Sequence, residues 1–528
     1  MKKRKEKIYL IRCSSSPKIG LGHFMRCLKI YNELKKKKEK AIMFIDKKID
    51  FMNNFNFKFY EIYPRNKSFK DEKKDAEKFI ALVRKKYRNY NFIIIKDDYR
   101  LKYNWEKTVK NKINSRMVTL TDFENLSHYS DTIINPKTKF YNVTRPIVKK
   151  ISNKKTTYLL GPRYSMINKI VKNKRNKIFT VIINFGATKN VNLINNIINE
   201  IILKCRSIKF IFVLGPYYKI DLFKKKFGKK IHRIKFVTNQ YNLQKIYSNS
   251  HLFVGAAGNS VYETTAQKLP GIFFEISKNQ STSFNSLEKM GQYFLLSKIN
   301  LKKDKLFKIK ELINNIKDNY NVISKELKRS LIQIDDKGVS RIANFLTTKN
   351  QIKITKEILI NKKFKKSEYK IIKCKFLDIN TYLEARNRKE NIRQSFRNSS
   401  IDKIDHYLWW FKNNISSFKL NRGNETMLYF YHFPIKILKH FYYISGWFNS
   451  SNNSTIQDII YGLNWQRKYI NLKTKKISSW ISFVKKDNIL AQKYSAKLGW
   501  TKIQHKNKLY NSLKRQYKFG NTYVYTRK

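Results

Sequence analysis

IYLIRCSSSPKIGLGHFMRC, residues 8–27, decides how the rest of the chain is read. Ile8-Tyr9-Leu10-Ile11 is too short for a helix and reads as a buried strand, and residues 14–21 form a turn punctuated by Pro17 and Gly20 and followed by Gly22. From His23 onward Phe24, Cys27, Leu28 and Tyr31 recur at helical spacing, which puts His23 at or just before a helix N-terminus. Unpaired N–H groups and the positive dipole end there favour an anion and disfavour a protonated imidazole. A histidine so placed tends to be neutral near pH 7, as a general base must be. Gly20 and Gly22 let the backbone approach a ligand closely. The competing reading is a glycine turn with a histidine in the capping region.

The 528 residues suffice for about three domains. A hydrophobic fraction of 41% with 14% aromatics supports real cores and excludes a disordered tail. The formal charge is +76, yet Lys and Arg are spread through every segment beside a general surplus of Asn and Ile. Nucleotide bias accounts for that spread, whereas a specific nucleic-acid binder concentrates charge on one face. Cys13, Cys27, Cys205 and Cys374 form no CxxC pair, so reduced thiols and a cytoplasmic protein are expected, with neither a disulfide framework nor a zinc site. No apolar run approaches membrane-spanning length.

Outward from the opening stretch, residues 41–45, 92–95, 117–120 and 132–135 read as buried strands, with a helix near 75–87. Such alternation predicts a parallel sheet with helices on both faces and a ligand beyond the carboxyl ends of its strands. Asp97-Asp98-Tyr99 follows one of those ends, where the aspartates either orient a sugar or a base or cap the next turn. After Gly161-Pro162-Arg163-Tyr164 a second alternating unit begins, with strands at 178–183, 208–214, 251–254 and 272–276, helices at 191–202 and from Val261, and helices filling 283–327. Gly186 and the run Gly255-Ala256-Ala257-Gly258-Asn259-Ser260 are glycine-bearing turns suited to a diphosphate, and Glu263 lies one turn into the following helix, in reach of ribose hydroxyls. The plainer reading of Gly255 and Gly258 is close helix–strand packing.

The expected domains are 1–165, carrying the histidine loop, 166–346 for nucleotide binding, a lysine-dense linker at 347–367, and 368–528. The last has a different character. A strand at 368–376, helices at 380–388 and 402–411, aromatic strands at 427–432 and 437–448, a strand at 477–484 and a helix stopped by Gly499 predict an α+β fold with a largely antiparallel sheet.

Gly20-Leu21-Gly22-His23 with Met25-Arg26-Cys27 resembles the signature of the nucleotide-sugar hydrolases of pseudaminic acid biosynthesis. The likeness covers about the first 345 residues. Asp97 to Leu101 with Trp105-Glu106 resembles the family's DxYxL…WE stretch, Leu160 to Tyr164 its LGPRY segment, Asn184 to Thr188 its FGGTD loop, and Gly258 to Glu263 with Asn279-Gln280 its AGST…E and ENQ motifs. Ala187, Lys189 and Asp98 depart from the usual glycine, aspartate and histidine. The resemblance implies two Rossmann-like domains in a GT-B arrangement, as in MurG-type glycosyltransferases. It further implies hydrolysis of UDP-2,4-diacetamido-2,4,6-trideoxy-β-L-altropyranose without metal or cofactor. His23 would activate water, Gly20 and Gly22 would shape the sugar loop, and Asp98, Tyr99, Arg163, Gly186, Gly258, Asn259, Ser260, Glu263, Asn279 and Gln280 would hold the UDP-sugar. A glycosyltransferase using a UDP-sugar donor and a non-enzymatic polyanion binder are the alternatives.

In the last third, Ile477 to Val484, Asn488 to Ala491 and Lys497 to Trp500 resemble the final strand–helix unit of GNAT acetyltransferases, and Leu383 to Asn387 with His406 to Phe411 resembles the N-terminal part of sugar N-acetyltransferases of the same pathway. A GNAT-like fold and an acetyl-CoA site at Asn488, Tyr494 and Ser495 are implied. The pyrophosphate loop of that family is absent, and Ser495 stands where its general-acid tyrosine is usual. On a helix Tyr494 would be rotated about 100° from that position.

Overall fold

The computed structural model describes residues 6–15, 21–64, 68–123, 126–137, 147–151, 154–186, 191–205, 207–215, 220–228, 234–238, 240–276, 280, 287–297, 302–348, 369–395, 399–412, 416–473 and 479–527. Of the expected site residues, Gly20 and Asn279 lie outside these, as do Ala187 to Lys189 and the linker from 349 onward.

The first sheet is built from β1 (Lys7–Cys13), β2 (Lys40–Ile45), β3 (Phe59–Glu61), β4 (Asn91–Asp97), β5 (Arg116–Leu120), β6 (Thr132–Asn135), β7 (Ile147–Ile151) and β8 (Lys154–Leu160), in the order β3-β2-β1-β4-β5-β6-β8-β7. All pairs are parallel except the β7–β8 hairpin. Ile8 to Ile11 are fully buried, as expected of a strand covered on both faces. Tyr9 and Ile11 pack under α1 (Gly22–Lys36) together with Val339, Ile342 and Leu346 of the distant helix Gly338–Thr347. Ile8 and Leu10 pack under α2 (Glu72–Lys86) and α3 (Tyr103–Ile113). The chain thus returns, after its second sheet, to complete the core of the first, and the Tyr9 hydroxyl donates to Leu346 O at 3.2 Å.

The second sheet comprises β9 (Thr180–Asn184), β10 (Lys209–Val213), β11 (Ile234–Val237), β12 (Leu252–Ala256), β13 (Gly271–Phe274) and β14 (Phe294–Leu296), all parallel, in the order β11-β10-β9-β12-β13-β14. Each sheet reverses its strand order beside its first strand, between β1 and β4 and between β9 and β12. These are two Rossmann-like domains in a GT-B arrangement. The stretch 283–327, expected as helices throughout, contains β14. Tyr293 to Leu296 is a four-residue apolar run whose periodicity cannot tell a short strand from a buried helical turn.

The last domain is a seven-stranded mixed sheet, largely antiparallel. Its strands are β15 (Tyr369–Lys373), β16 (Ser416–Arg422), β17 (Glu425–Ile437), β18 (His440–Asn449), β19 (Ser479–Lys485), β20 (Thr501–Lys502) and β21 (Thr522–Arg527). The parallel pair β18–β19 is in register only from Tyr442 to Ile444, opposite Ser479 to Ile481. Beyond those residues the two strands part. The sequence reading ended the earlier strand at 432 and began the next at 437. In the structure β17 continues through Pro434, opposite Tyr443, and turns at Leu438-Lys439, both at positive φ.

Two glycines that open helices test this packing against each other. A Cβ on Gly338 would lie 2.1 Å from Ser165 O, whereas one on Gly22 would meet nothing within 4 Å. Gly338→Ala is expected to lower stability by about 1–3 kcal/mol. Gly22→Ala should be neutral or stabilising by up to about 1 kcal/mol. Urea unfolding of both variants checks the pair.

Candidate functional site

The switch point of the first sheet gathers the side chains that sequence spacing had only placed near one another. β1 ends at Cys13 directly beside Asp97, the last residue of β4. The histidine loop leaves β1 there and re-enters as α1, whose N-cap position, Leu21, makes no side-chain cap. The start of α2, by contrast, is closed by Asp71, which accepts from Lys74 N.

The carboxylate of Asp97 is fully buried and accepts from three side chains of α1, those of His23, Arg26 and, at 3.8 Å, the Cys27 thiol. His23 Nδ1 lies 2.6 Å from Oδ1, Arg26 Nη2 donates to the same oxygen at 2.6 Å, and Arg26 Nε donates to Oδ2 at 3.0 Å. Because a carboxylate only accepts, Nδ1 carries its hydrogen toward Asp97, and the second ring nitrogen, Nε2, presents a lone pair. The 3.2 Å separation of Arg26 Nη2 from Nδ1 is the meeting of two donors at one oxygen. Tyr99 stands edge-on to the imidazole, with centroids 4.5 Å apart, and accepts from Arg26 Nη2 at 3.1 Å. The ring is held on two sides and keeps 10% of its side-chain surface open. In the fold the imidazole is nearly enclosed.

Arg26 extends the network to Asp122 at the end of β5, with Nη1 to Oδ1 at 2.7 Å, and Lys137 Nζ reaches the other oxygen at 2.9 Å. Burial alone would raise the Asp122 carboxyl, but Arg26 and Lys137 outweigh it and hold it far below the usual carboxylate range. Burial likewise pulls the Arg26 guanidinium down, and Asp122 and Asp97 more than restore it.

Asp98 does not join this group. Successive residues at a strand end face opposite sides, so Asp98 turns toward Arg12 and is gripped by Arg100, whose Nη2 and Nε donate at 2.6 and 2.9 Å. It is 1% exposed and belongs to a buried ion cluster with Arg12, Asp46 and Asp75, not to an open site. Its neighbour Asp97, unassigned from sequence, is the one that meets His23.

At the second sheet's switch point, Gly186 has φ +73° and its N–H donates to Asn184 Oδ1 at 2.8 Å. The two glycines of the 255–260 run separate in role. A Cβ on Gly255 would fall 1.9 Å from Asn184 O, so this glycine is required by packing. Among the described residues a Cβ on Gly258 would meet only Gln280 Nε2, at 3.8 Å, an ordinary contact, so no close packing there requires the glycine. Gly258, Gln280, Asn259, Ser260 and Glu263 lie around the start of the helix Ser260–Ala266. Lys29, on α1 six residues after His23, ties that cluster to the first. Its Nζ lies 3.4 Å from Glu263 Oε1 and donates to Met166 O, which Asn259 Nδ2 also reaches. Arg163 stands apart; its carbonyl accepts from Arg341 and its guanidinium lies over Tyr164.

In the last domain the parting of β18 and β19 opens a cleft of about 1170 Å³, and Asn488, Tyr494 and Ser495 all line it. Tyr494, expected to point away, shares the cleft wall with Ser495, because a wide groove spans more than one helix position. Asn488 also caps its helix, accepting from Ala491 N at 3.0 Å. The start of helix Ile456–Lys473, where the acetyl-CoA pyrophosphate loop was missing from the sequence, is closed by fully buried Asp458. That carboxylate accepts from Thr455 N at 2.6 Å and from Arg422 at 2.9 Å.

No family model matches the chain. An uncharacterized protein of Methanocaldococcus jannaschii is 22% identical over 354 residues, 61% of this chain and 69% of that one. Among solved structures, Acinetobacter baumannii MurG is similar at 9% identity and a TM-score of 0.45, over 64% of this chain and 98% of its own. The S. aureus MnaA–UDP co-structure is similar at 9% identity and a TM-score of 0.41, over 64% and 96%. Among the described residues no helix is long and apolar enough to cross a membrane.

Behind Tyr99, Glu106 is fully buried and accepts from Lys96 Nζ at 2.6 Å and His128 Nδ1 at 2.7 Å. Burial opposes its charge, but the hydrogen bond from His128 and the attraction of Lys96 prevail and bring its pKa down from 4.5 to about 2. A carboxyl depressed by folding stabilises the native state above its unfolded value. That contribution, on the order of 3 kcal/mol, is lost as the pH falls from about 4.5 to about 2. Glu106→Gln should be less stable at pH 7 and show a shallower loss of stability across that window, read from urea midpoints at each pH.

Proposed function

We propose that the first two domains hydrolyse a UDP-activated sugar, releasing free sugar and UDP, with His23 as the base that activates water. The family resemblance suggests UDP-2,4-diacetamido-2,4,6-trideoxy-β-L-altropyranose as the substrate. The observation that carries the reading is the 2.6 Å contact between His23 Nδ1 and Asp97 at the first switch point. It fixes the tautomer that leaves Nε2 free to take a proton.

In the proposed reaction a water oxygen bonds to C1 of the sugar while Nε2 accepts its proton. The C1–oxygen bond to the diphosphate breaks, and the electron pair leaves with UDP. Asp97 stabilises the imidazolium that forms, as a carboxylate does beside any histidine acting as base. A ring with little open surface suits a base that meets one water admitted with the sugar. Gly186, Gly258, Asn259, Ser260, Glu263 and Gln280 form the proposed nucleotide side. Glu263 would exchange its contact with Lys29 for a ribose hydroxyl.

His23→Asn should leave UDP affinity within about twofold while cutting kcat severely. Asp97→Asn, which disturbs the tautomer, should cost on the order of 10²–10⁴ in kcat. Turnover is measured with UDP-sugar alone. Sugar released without any acceptor supports hydrolysis, and release only with an acceptor present supports a glycosyltransferase instead. Normal turnover in folded His23→Asn would remove the mechanism.

For the last domain we propose that the cleft between β18 and β19 takes acetyl-CoA. Calorimetric titration into the full chain should show binding that Ala491→Trp, on the cleft wall, abolishes. No heat from the unsubstituted protein would remove this ligand.

A further inference from the structure

The Glu106–His128 pair has a property that the proposed reaction does not use. The Glu106 carboxylate is saturated with donors. Oε1 accepts from Lys96 Nζ, Thr119 Oγ1 and His128 Nδ1, at 2.6, 3.0 and 2.7 Å, and Oε2 accepts from Tyr129 N and from Ser130 Oγ at 3.0 Å. His128 therefore carries a hydrogen on Nδ1, and in the neutral imidazole Nε2 is then a bare acceptor. That Nε2 is buried and has no hydrogen-bond partner among the described residues, in a side chain only 5% exposed. An acceptor held so firmly and left unmade is costly in a finished core, and such groups call for an explanation.

The ring lines a cavity of about 180 Å³ whose walls include Leu101, Leu120, Thr121, Leu126 and Tyr99. Tyr99 is also the ring that stands against His23. The cavity is thus one aromatic side chain removed from the proposed base, at the carboxyl end of β5. Its walls are mixed, with Lys96, Lys102, Thr121 and Ser127 beside the apolar side chains, and His128 Nε2 is the buried acceptor there that is left without a partner. A hydroxyl group or the N–H of an acylamino group meets that acceptor. A carboxylate or phosphate oxygen would face the lone pair of Nε2 with its own.

We propose that this cavity is a specificity subsite in which His128 Nε2 accepts a hydrogen bond from a hydroxyl or acylamino N–H of the sugar. The assignment rests on the UDP-sugar reading above and deepens it. His128 is a substrate-binding residue in this account and takes no part in proton transfer to water.

The test is calorimetric and separates binding from turnover. UDP-2,4-diacetamido-2,4,6-trideoxy-β-L-altropyranose and UDP alone are titrated into the full chain, its His128→Phe variant and its His128→Asn variant. A missing hydrogen bond to a buried acceptor is worth about tenfold in affinity. His128→Phe is therefore expected to weaken the sugar nucleotide about tenfold and to leave UDP unchanged. His128→Asn, which can still offer a side-chain carbonyl, should recover part of the loss. Circular dichroism and the unfolding midpoint confirm that each variant is folded, and the Asn variant carries the test if the Phe variant is not. Equal affinity for the sugar nucleotide in a folded variant overturns the subsite, as does an equal loss for UDP alone. If the affinity difference appears but the unsubstituted protein releases no sugar, the subsite stands and the hydrolase reading fails. If the unsubstituted protein binds no sugar nucleotide, both fall.

Discussion

One buried carboxylate organises the first domain. Asp97 has no solvent to share its charge with, and α1 brings donors to it, above all the imidazole of His23 and the guanidinium of Arg26, with the Cys27 thiol beside them. Meeting that requirement sets the rotation of α1 over the sheet, the direction of the histidine ring, and the tautomer that ring adopts. Arg26 in turn needs Asp122, and Asp122 needs Lys137. The chemistry of the site and the burial of its charges are therefore one problem with one solution.

The same helix carries the coupling outward. Lys29 lies six residues after His23 and joins Glu263 and Met166, so the geometry at one switch point is tied to the nucleotide side of the second. Aromatic contacts reinforce the junction: Tyr241 stands 4.4 Å from Phe51 and 5.0 Å from Phe55. The long return of helix Gly338–Thr347 beneath α1 buries the apolar face opposite this polar edge.

Much of the fold was legible because buried parallel strands are written as short apolar runs, and β1, β2, β4, β9, β10 and β12 are such runs. Strands that depart from the rule were harder to read. β3 is only half-buried, β14 is short enough to pass for a helical turn, and β17 carries a proline in its middle. At the site, His23 could be read from its glycines and its helix. Asp97 could not be preferred over Asp98, since sequence gives neighbours equal standing and only the pleat assigns them to opposite faces. The unlike roles of Gly255 and Gly258 depend on what lies across the sheet, and no local pattern contains that. His128 is legible only in the fold, because Glu106 is brought to it from a helix 22 residues earlier in the chain.

The account turns on water attacking C1 under the direction of His23. Hydrolysis of the UDP-sugar in water enriched in oxygen-18, with both products analysed by mass spectrometry, tests that step most directly. The label is predicted in the anomeric hydroxyl of the free sugar, with UDP unlabelled. Label in the UDP phosphate would mean that the phosphorus–oxygen bond is the one cleaved, and would contradict the account.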